Sequence, residues 1–350
     1  MTHLTYLEAA VVGLVQGVTE LFPISSLGHN VLIPALMGGS RAADLNVAEP
    51  ESPYLAFIVG LHVATALALL VFFWRDWVRI IGGFFSSIRD RRVETADQRL
   101  AWMIVLATIP VGLVGLVAEH PFRLIFGKPI AAAVFLAING LILIAGERYR
   151  SRASLAADKR AAVSRQAELV MAGGRPAAPP GPGREPGPGR EPGPGREPDP
   201  AHARTRASSR AEQADAIASD RRVSVVGYGK AIVIGSSQIL ALLAGISRDG
   251  VTMVTGMARG LSREDAARFA FLLSTPVILA AGVLKIPDLF GPLGNGIHGQ
   301  ILVGSVLSFV GAYFSVRFLV RYLRTRTLTP FGIYCLVAGL ASVVYLGFIK

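Results

Sequence analysis

The sequence predicts an all-α polytopic membrane protein with six transmembrane helices and two re-entrant helical hairpins in an inverted repeat. Three observations lead to this fold class: six apolar runs of nearly span length, basic residues concentrated in alternate loops, and a residue spacing that recurs in both halves of the chain. Hydrophobic residues make up 52% of the 350 residues and charged residues only 17%. Soluble domains carry about 25% charged residues, so the composition disfavours a soluble protein.

The apolar runs are predicted to be the transmembrane helices. A bilayer core of about 30 Å requires roughly 20 apolar residues in a helix. The six predicted spans are residues 55–74, 101–118, 130–146, 266–284, 300–316 and 331–349. The single cysteine, Cys335, lies in the last run, so the sequence offers neither an intramolecular disulfide nor a cysteine-based metal site.

The basic residues between the runs predict the topology. Three loops carry 6, 15 and 4 Lys and Arg residues, and these are residues 75–99, 147–222 and 317–326. The three intervening loops carry only 1, 2 and 1, and these are residues 37–54, 119–129 and 285–299. The positive-inside rule places the first set in the cytoplasm and the second set outside. The net charge of +11 is thereby explained by topology, and no nucleic-acid partner is expected.

The segment 151–222 differs from the rest of the chain. It is polar and rich in Arg and Pro, and it contains GPGREP three times in tandem from Gly181 to Pro198. Proline and glycine at this density disfavour both helix and core. We interpret the segment as a disordered cytoplasmic insertion, with a protein-binding or headgroup-binding linker as the alternative. It separates a first repeat, residues 1–150, from a second repeat, residues 223–350.

The two repeats share a spacing that predicts their hairpins. Four residues of the first half recur 222 positions later: Gly13 and Gly235, Gln16 and Gln238, Ser25 and Ser247, Gly28 and Gly250. Residues 223–257 leave one predicted cytoplasmic loop and return to another, which indicates a re-entrant hairpin. By the repeat, residues 5–36 form the other hairpin. Broken helices in inverted repeats place a binding site near the membrane midplane, so we expect the two hairpin turns to meet there.

Polar residues at the two turns are the candidate site. Ionisable groups within a membrane segment indicate function by default. The first hairpin supplies Gln16, Glu20, Ser25, Ser26 and His29, and the second supplies Ser247, Arg248 and Asp249. A guanidinium binds phosphate oxygens in a bidentate manner, a Ser or His can act as the nucleophile, and a carboxylate can act as a base or hold a divalent metal. The set therefore predicts phosphoryl transfer.

Each of these residues also has a structural interpretation. Ser25 could cap the helix after Pro23, and Gln16 could bridge the hairpins by hydrogen bonds. Arg248 could pair with Asp249. His62, in the first span, is interpreted as a packing residue or one that orients a neighbour. Gly28 and Gly250 are expected to let backbone amides approach a phosphate closely.

Two motifs at these residues resemble the undecaprenyl-diphosphatase family of bacterial membrane enzymes, whose members confer bacitracin resistance. The first motif is QGVTELFPISSLGH, from Gln16 to His29, and the second is AGISRDGVT, from Ala244 to Thr252. The following GLSREDAARFAFLLSTP, from Gly260 to Pro276, is also similar to the family. The resemblance covers nearly the whole chain except residues 151–222.

The resemblance implies a function and a set of roles. It implies that a polyprenyl diphosphate lipid is hydrolysed to the monophosphate and inorganic phosphate, which recycles the lipid carrier of cell-wall synthesis. It implies a multi-pass protein of the bacterial plasma membrane, with an active site opening to the external face, and a homodimer is left open. The implied catalytic residues are Glu20, Ser26, His29 and Arg248, with Gln16, Ser25, Gly28, Ser247 and Gly250 binding phosphate or in support. It also implies a divalent cation, Mg²⁺ or Ca²⁺, which we assign to Glu20 and Gln16.

Two departures from the family pattern concern the second motif. Ala244 stands where the family has Pro, and Asp249 stands where it has Ser. Asp249 would place an anion beside the predicted phosphate site and weaken binding unless Arg248 or a metal compensates. Two alternatives to the enzyme are considered. The first is a transporter of polyprenyl phosphate or another anion, because an inverted repeat suits a transporter equally well. The second, which Asp249 suggests, is an inactive paralogue with a binding or regulatory role.

Overall fold

The computed structural model describes residues 4–38, 53–126, 128–171, 200–291 and 296–349, and these residues contain helices and no strand. The helices are α1 (Tyr6–Leu21), α2 (Ser26–Met37), α3 (Pro53–Phe72), α4 (Trp74–Asp90), α5 (Ala96–Phe126), α6 (Pro129–Met171), α7 (Pro200–Ser224), α8 (Tyr228–Ser236), α9 (Arg248–Ala258), α10 (Arg263–Phe290), α11 (His298–Thr325) and α12 (Thr329–Val344). A 3-10 helix, Ser237–Leu242, follows α8, and a π-helical turn, Tyr345–Ile349, follows α12. The all-α prediction is confirmed.

The first predicted hairpin is a pair of helices with a break between them. Helix α1 begins with a capping box between Thr5 and Glu8. It ends at Leu21 because Phe22 precedes a proline and takes an extended conformation, with φ −66° and ψ 141°. Ser25, with φ 68°, caps the start of α2. We call residues 22–28 the first tip.

The second predicted hairpin contains a similar break. Helix α8 continues into the 3-10 helix, which ends where Leu243 becomes extended. Gly245 follows with φ 110°, a conformation that a side chain would strain. Ser247 then caps α9. We call residues 243–250 the second tip. The second predicted hairpin therefore begins at Tyr228 rather than at Val223, because residues 223 and 224 still belong to α7.

Five helical stretches in the described residues are long and apolar enough to cross a membrane, or up to seven if each of two bent helix pairs counts as one span. The five are Ala96–Ala118, Pro129–Ala153, Arg263–Leu284, His298–Thr325 and Thr329–Ile349. They contain five of the six predicted spans. The remaining predicted span, residues 55–74, corresponds to α3, after which the chain bends by 85° into α4.

The predicted disordered insertion is too long at both ends. Residues up to Met171 continue α6 and residues from Pro200 onward form α7, so the flanks of segment 151–222 are helical. Both flanks are rich in Ala and Arg, which favour helix. The GPGREP repeats lie outside the described residues. The chain forms two compact units: residues 149–218 are one, and the rest of the chain is the other.

Close helix packing positions the two tips in the larger unit. Helix α1 contacts α11 so closely that a Cβ on Gly13 would lie 2.3 Å from the carbonyl oxygen of Gly304. Helix α8 approaches α5 in the same way, and a Cβ on Gly235 would lie 2.0 Å from the carbonyl oxygen of Ala107. The first helix of each predicted hairpin, α1 or α8, thus packs against a helix of the other repeat.

Within the larger unit, a closed ring of ion pairs holds α4, the end of α7 from residue 219 and α10 together. Arg79 lies 2.6 Å from Asp76 and 2.6 Å from Asp220. Arg268 completes the ring, at 2.9 Å from Asp76 and 2.8 Å from Asp220. A buried pair of this kind is costly to break, because each partner would be left charged without its counterpart. The ring therefore fixes α10, which lies beside the second tip.

Candidate active site

Glu20 is the centre of a buried polar cluster near the end of α1. Only 8% of the residue is exposed. The Ser26 hydroxyl, at the start of α2, donates to its carboxylate. From the other tip, Arg248 Nη2 donates to Oε1 at 3.1 Å. A carboxylate that accepts a serine proton and pairs with a guanidinium is suited to act as a general base beside an anion site.

Gln16 and His62 hold the other oxygen of this carboxylate. The Gln16 amide nitrogen donates to Glu20 Oε2 at 3.0 Å, and its carbonyl oxygen accepts from Asn30 at 2.7 Å. His62 Nε2 lies 3.4 Å from the same carboxylate oxygen. Its Nδ1–H donates to the Ile58 carbonyl at 2.8 Å, which fixes the orientation of the ring. Gln16 therefore joins the two helices of the first pair. Its hydrogen bonds among the described residues do not reach the second hairpin, which it was predicted to bridge in one of its two interpretations.

His29 does not contact Glu20 directly. Its Nδ1 lies 2.7 Å from the Ser25 carbonyl oxygen, which can only accept, so Nδ1 carries the proton. Nε2 is then an acceptor, and the Tyr334 hydroxyl donates to it at 2.8 Å. The two rings also stack, with centroids 5.8 Å apart. In this arrangement the nucleophilic nitrogen of His29 is occupied by Tyr334.

The two tips touch each other, as the repeat predicted. A Cβ on Gly28 would lie 2.9 Å from the Gly245 Cα, so only glycine permits this approach. Ser25 Oγ accepts from the amides of both Gly28 and Gly245, each at 3.2 Å. Ser25 therefore caps α2 and also joins the second tip. Ser247 caps α9 in the corresponding way, accepting from the Gly250 amide at 3.1 Å.

The contact of the tips brings two helix N-termini to the site. Helices α2 and α9 begin at Ser26 and Arg248, next to their serine caps. The N-terminus of a helix carries unpaired amides and the positive end of the dipole, and it favours anions. Arg248 adds a full positive charge, and its Nη1 is buried without a hydrogen-bond partner among the described residues. This donor is available to an anionic ligand.

Asp249 points to a different neighbour from the one its sequence position suggested. It is 2% exposed and accepts a hydrogen bond from Ser274 of α10. Its other oxygen has no hydrogen-bond partner in the described part of the chain, and no ion pair with Arg248 is found there. The structural interpretation of Arg248, that it pairs with Asp249, is therefore wrong. Arg248 pairs with Glu20 instead.

An apolar groove adjoins the polar cluster. It has a volume of about 200 Å³ and lies between α1, α2 and Tyr54. Glu8, His29 and Asn30 are the polar residues of its lining, and most of the others are apolar, with Leu7, Val11 and Ile33 as representatives. A ligand with a polar head and an apolar chain matches this distribution.

The sequence predicted most of the cluster and missed four of its members. Asn30, Asn139, Ser274 and Tyr334 each contact a predicted residue or tip. His62, interpreted as a packing residue or one that orients a neighbour, lies 3.4 Å from Glu20 Oε2. The signal available for Asn30 and Asn139 was a strongly polar amide within an apolar run. Tyr334 and Ser274 gave no such signal, because hydroxyl side chains are common in membrane helices.

The few metal-ligating side chains near Glu20 restrict how a divalent cation could bind. No group of three or more His, Cys, Asp or Glu side chains in the described residues could hold a metal. Glu20 is the single carboxylate of the cluster, and Arg248 already pairs with it. Mg²⁺ often binds through one or two carboxylates together with substrate phosphates. The residues fit a cation shared with a phosphorylated ligand and do not fit a cation held by the protein alone.

These features define a multi-pass helical membrane protein with a buried polar cluster where two broken helix pairs meet. The family model described as bacitracin resistance protein BacA matches residues 9–173 and 205–341. The chain belongs to this family.

Relatives named undecaprenyl-diphosphatase cover nearly the whole chain. The protein of that name from Mycolicibacterium paratuberculosis is 56% identical over 344 residues, which is 98% of each chain. Undecaprenyl-diphosphatase 2 of Frankia alni is 52% identical over 343 residues, 97% of each chain. Undecaprenyl-diphosphatase 2 of Chromobacterium violaceum is 36% identical over 344 residues, 97% of this chain and 98% of that one.

Proposed function

We propose that the protein hydrolyses undecaprenyl diphosphate to undecaprenyl phosphate and inorganic phosphate. The observation that carries the proposal is Glu20, which contacts a serine hydroxyl on one side and the Arg248 guanidinium on the other. Relatives over the whole chain are named for this activity. The mostly apolar groove that His29 lines supports a lipid substrate, since it offers an apolar chain a place beside the cluster. The reaction returns the lipid carrier to cell-wall synthesis.

The contacts support Ser26 as the nucleophile. Glu20 takes the Ser26 proton as Oγ bonds to the terminal phosphorus, and the anhydride P–O bond breaks to release the polyprenyl monophosphate. That proton leaves with the monophosphate, so Glu20 is again a carboxylate. Water then attacks the phosphoserine, Glu20 takes a proton from the water and returns it to Ser26 Oγ, and the P–Oγ bond breaks to release inorganic phosphate. Arg248 and the N-termini of α2 and α9 stabilise the charge on the transferred group. His29 is the alternative nucleophile, and it would first have to lose the Tyr334 hydrogen bond.

A divalent cation, Mg²⁺ or Ca²⁺, is part of the proposal. Glu20 and the carbonyl oxygen of Gln16 would hold it together with the substrate. When bound, it would neutralise part of the diphosphate charge. The Gln16 oxygen accepts from Asn30 and retains a second lone pair for such a role.

The proposed topology has six spans and two re-entrant hairpins in an inverted repeat. Two observations support it: the reciprocal packing of α1 on α11 and of α8 on α5, and the serine caps of α2 and α9, each bonded to the glycine three residues later. We further propose that segment 151–222 is cytoplasmic and that the site opens to the external face. A homodimer and the lack of a nucleic-acid partner stay predictions.

Cysteine labelling tests the sidedness. His298 and Val93 are exposed residues that lie in a predicted external loop and a predicted cytoplasmic loop. In intact cells, an impermeant thiol reagent should label His298→Cys and not Val93→Cys. The unsubstituted protein is the control for Cys335, which is buried. Reversed labelling would place the predicted mouth of the site in the cytoplasm.

Phosphate release from undecaprenyl diphosphate by the purified protein tests the function. We expect stoichiometric inorganic phosphate and undecaprenyl phosphate, dependent on an added divalent cation. A transporter or an inactive paralogue would release no phosphate. Movement of labelled polyprenyl phosphate across vesicles without release would identify the transporter.

A further inference from the structure

Asn139 connects the two tips through a single side chain. It lies in α6 and is fully buried, with 0% exposed. Its Nδ2 donates to the carbonyl oxygen of Pro23 in the first tip at 3.0 Å. Its Oδ1 accepts from the backbone amide of Ser247 in the second tip, also at 3.0 Å. One amide group therefore contacts the backbone of both halves of the site.

The position of Asn139 is fixed by the crossing of α6 and α12. The two backbones touch there, because a Cβ on Gly140 would lie 2.5 Å from the Gly332 carbonyl oxygen. Cys335 of α12 is buried at the same crossing, and its sulfur lies 3.4 Å from Asn139 Nδ2. Close backbone packing leaves little room for helices to slide. The amide group is thus presented to the tips from a rigid support.

The chemistry of the two contacts requires a carboxamide. A side chain must donate to Pro23 and accept from Ser247 at once, and Asn does both with its two terminal atoms. The Ser247 amide precedes α9 and so has no partner within that helix. Loss of Asn139 would leave the buried Ser247 amide without its partner, which is costly. It would leave the Pro23 carbonyl with only the weak thiol donor of Cys335, at 3.8 Å.

We propose that Asn139 is a positioning residue for catalysis. It sets the distance between the nucleophile Ser26 and the phosphate-binding guanidinium of Arg248. Ser26 follows Pro23 by three residues, and Arg248 follows Ser247 directly. Both residues meet at Glu20. Asn139 contacts the chain three residues before Ser26 and one residue before Arg248, so it holds Ser26 and Arg248 in register without touching the substrate. The role in turnover rests on the proposed function.

Two substitutions test the role in turnover. Asn139→Leu keeps a similar volume and removes both hydrogen bonds, and it should lower kcat by about tenfold or more with KM within about twofold. Asn139→Asp has a donor and an acceptor only while its carboxyl is protonated. Its kcat relative to the wild type should be highest at the acid end of the pH range and should fall as pH rises. Steady-state kinetics on the full-length protein measure both.

A matched control separates positioning from general damage. Thr65 is also fully buried and also joins two helices, through its bond to Ser308 at 3.2 Å. It lies away from the tips in sequence and has no role in the proposed mechanism. Thr65→Val should therefore leave kcat within about twofold of the wild type, for a comparable loss of a buried hydrogen bond.

Hydrogen exchange gives a readout that does not depend on activity. In Asn139→Leu, the amides of residues 243–247 should exchange faster, while those of α1 and α11 should not change. A folded Asn139→Leu protein with wild-type kcat, a rise in KM alone, or a uniform increase in exchange would each overturn the proposal. If the wild type released no phosphate, the proposed function would fail, and the local exchange would still decide whether Asn139 holds the tips.

Discussion

The two tips share one backbone design and differ in chemistry. Each has a serine that caps the following helix by accepting from the glycine amide three residues later. The residues that do chemistry are not repeated. Moving 222 positions along the chain replaces Glu20 by Leu242, Ser26 by Arg248 and His29 by Val251. In the proposed repeat, the proposed nucleophile and base lie on the first copy, and the Arg248 guanidinium lies on the second.

This division explains why the tips must touch. The first helix pair contributes the Glu20 carboxylate and the tip's hydroxyls, and the carboxylate alone would repel a diphosphate. The second contains the guanidinium, and its buried Nη1 has no partner among the described residues. Either tip alone is incomplete, and their contact places opposite charges 3.1 Å apart at Glu20 and Arg248. A diphosphate would be bound where the two chemistries meet.

Glu20→Gln should have the largest effect, because it removes the proposed base and the negative charge that the first helix pair contributes. We expect kcat to fall by about a hundredfold to ten-thousandfold. Phosphate release by purified protein measures it, and elution as a single folded species in detergent is the control. Near-normal turnover would exclude Glu20 from the mechanism and make the first tip a structural element.

Arg248→Lys tests the contribution of the second tip. A lysine keeps the charge and loses the planar fork that binds phosphate oxygens in a bidentate manner. We expect kcat/KM to fall by about a hundredfold, which is typical for removal of one preorganised donor. If lysine supported nearly full activity, charge alone would be sufficient, and the orphaned Nη1 would have no specific partner in the substrate.

Asp249→Ser should have a small effect in the favourable direction. The carboxylate lies next to Arg248 in sequence, yet it points to Ser274. If it is a tolerated anion, its removal should keep activity or raise it by up to about threefold, since repulsion of the diphosphate decreases. Turnover is measured across a range of divalent-cation concentrations. A large loss that extra cation partly restores would show that Asp249 belongs to the metal site.

The sequence predicted the helices and the polar residues of the first tip because both signals are local. Apolar runs locate spans, and Pro23 locates the break before α2. Contacts between segments that are distant in the sequence leave no local signal and could not be predicted from it. Asn139 and Tyr334 reach the tips only after α6 and α12 cross. The pairing of Arg248 with Glu20 rather than with its neighbour Asp249 is also a tertiary result. The helical flanks of segment 151–222 were missed because its central proline repeats dominated the composition.

The smallest effect on turnover is expected for substitution of Gln238, which lies in the 3-10 helix before the second tip. Its counterpart Gln16 donates to Glu20 and accepts from Asn30. Gln238 is 1% exposed, and neither of its side-chain amide atoms has a hydrogen-bond partner among the described residues. A buried amide without partners costs about 1–3 kcal/mol. Gln238→Leu should therefore leave turnover unchanged and raise the midpoint of thermal unfolding by a few degrees.

Gln16→Leu, the matched change, should lower turnover because Glu20 loses a hydrogen-bond donor. Equal losses of activity in the two variants would mean that the second arm has a functional amide of its own, and the contrast between scaffold and chemistry would not hold at this position.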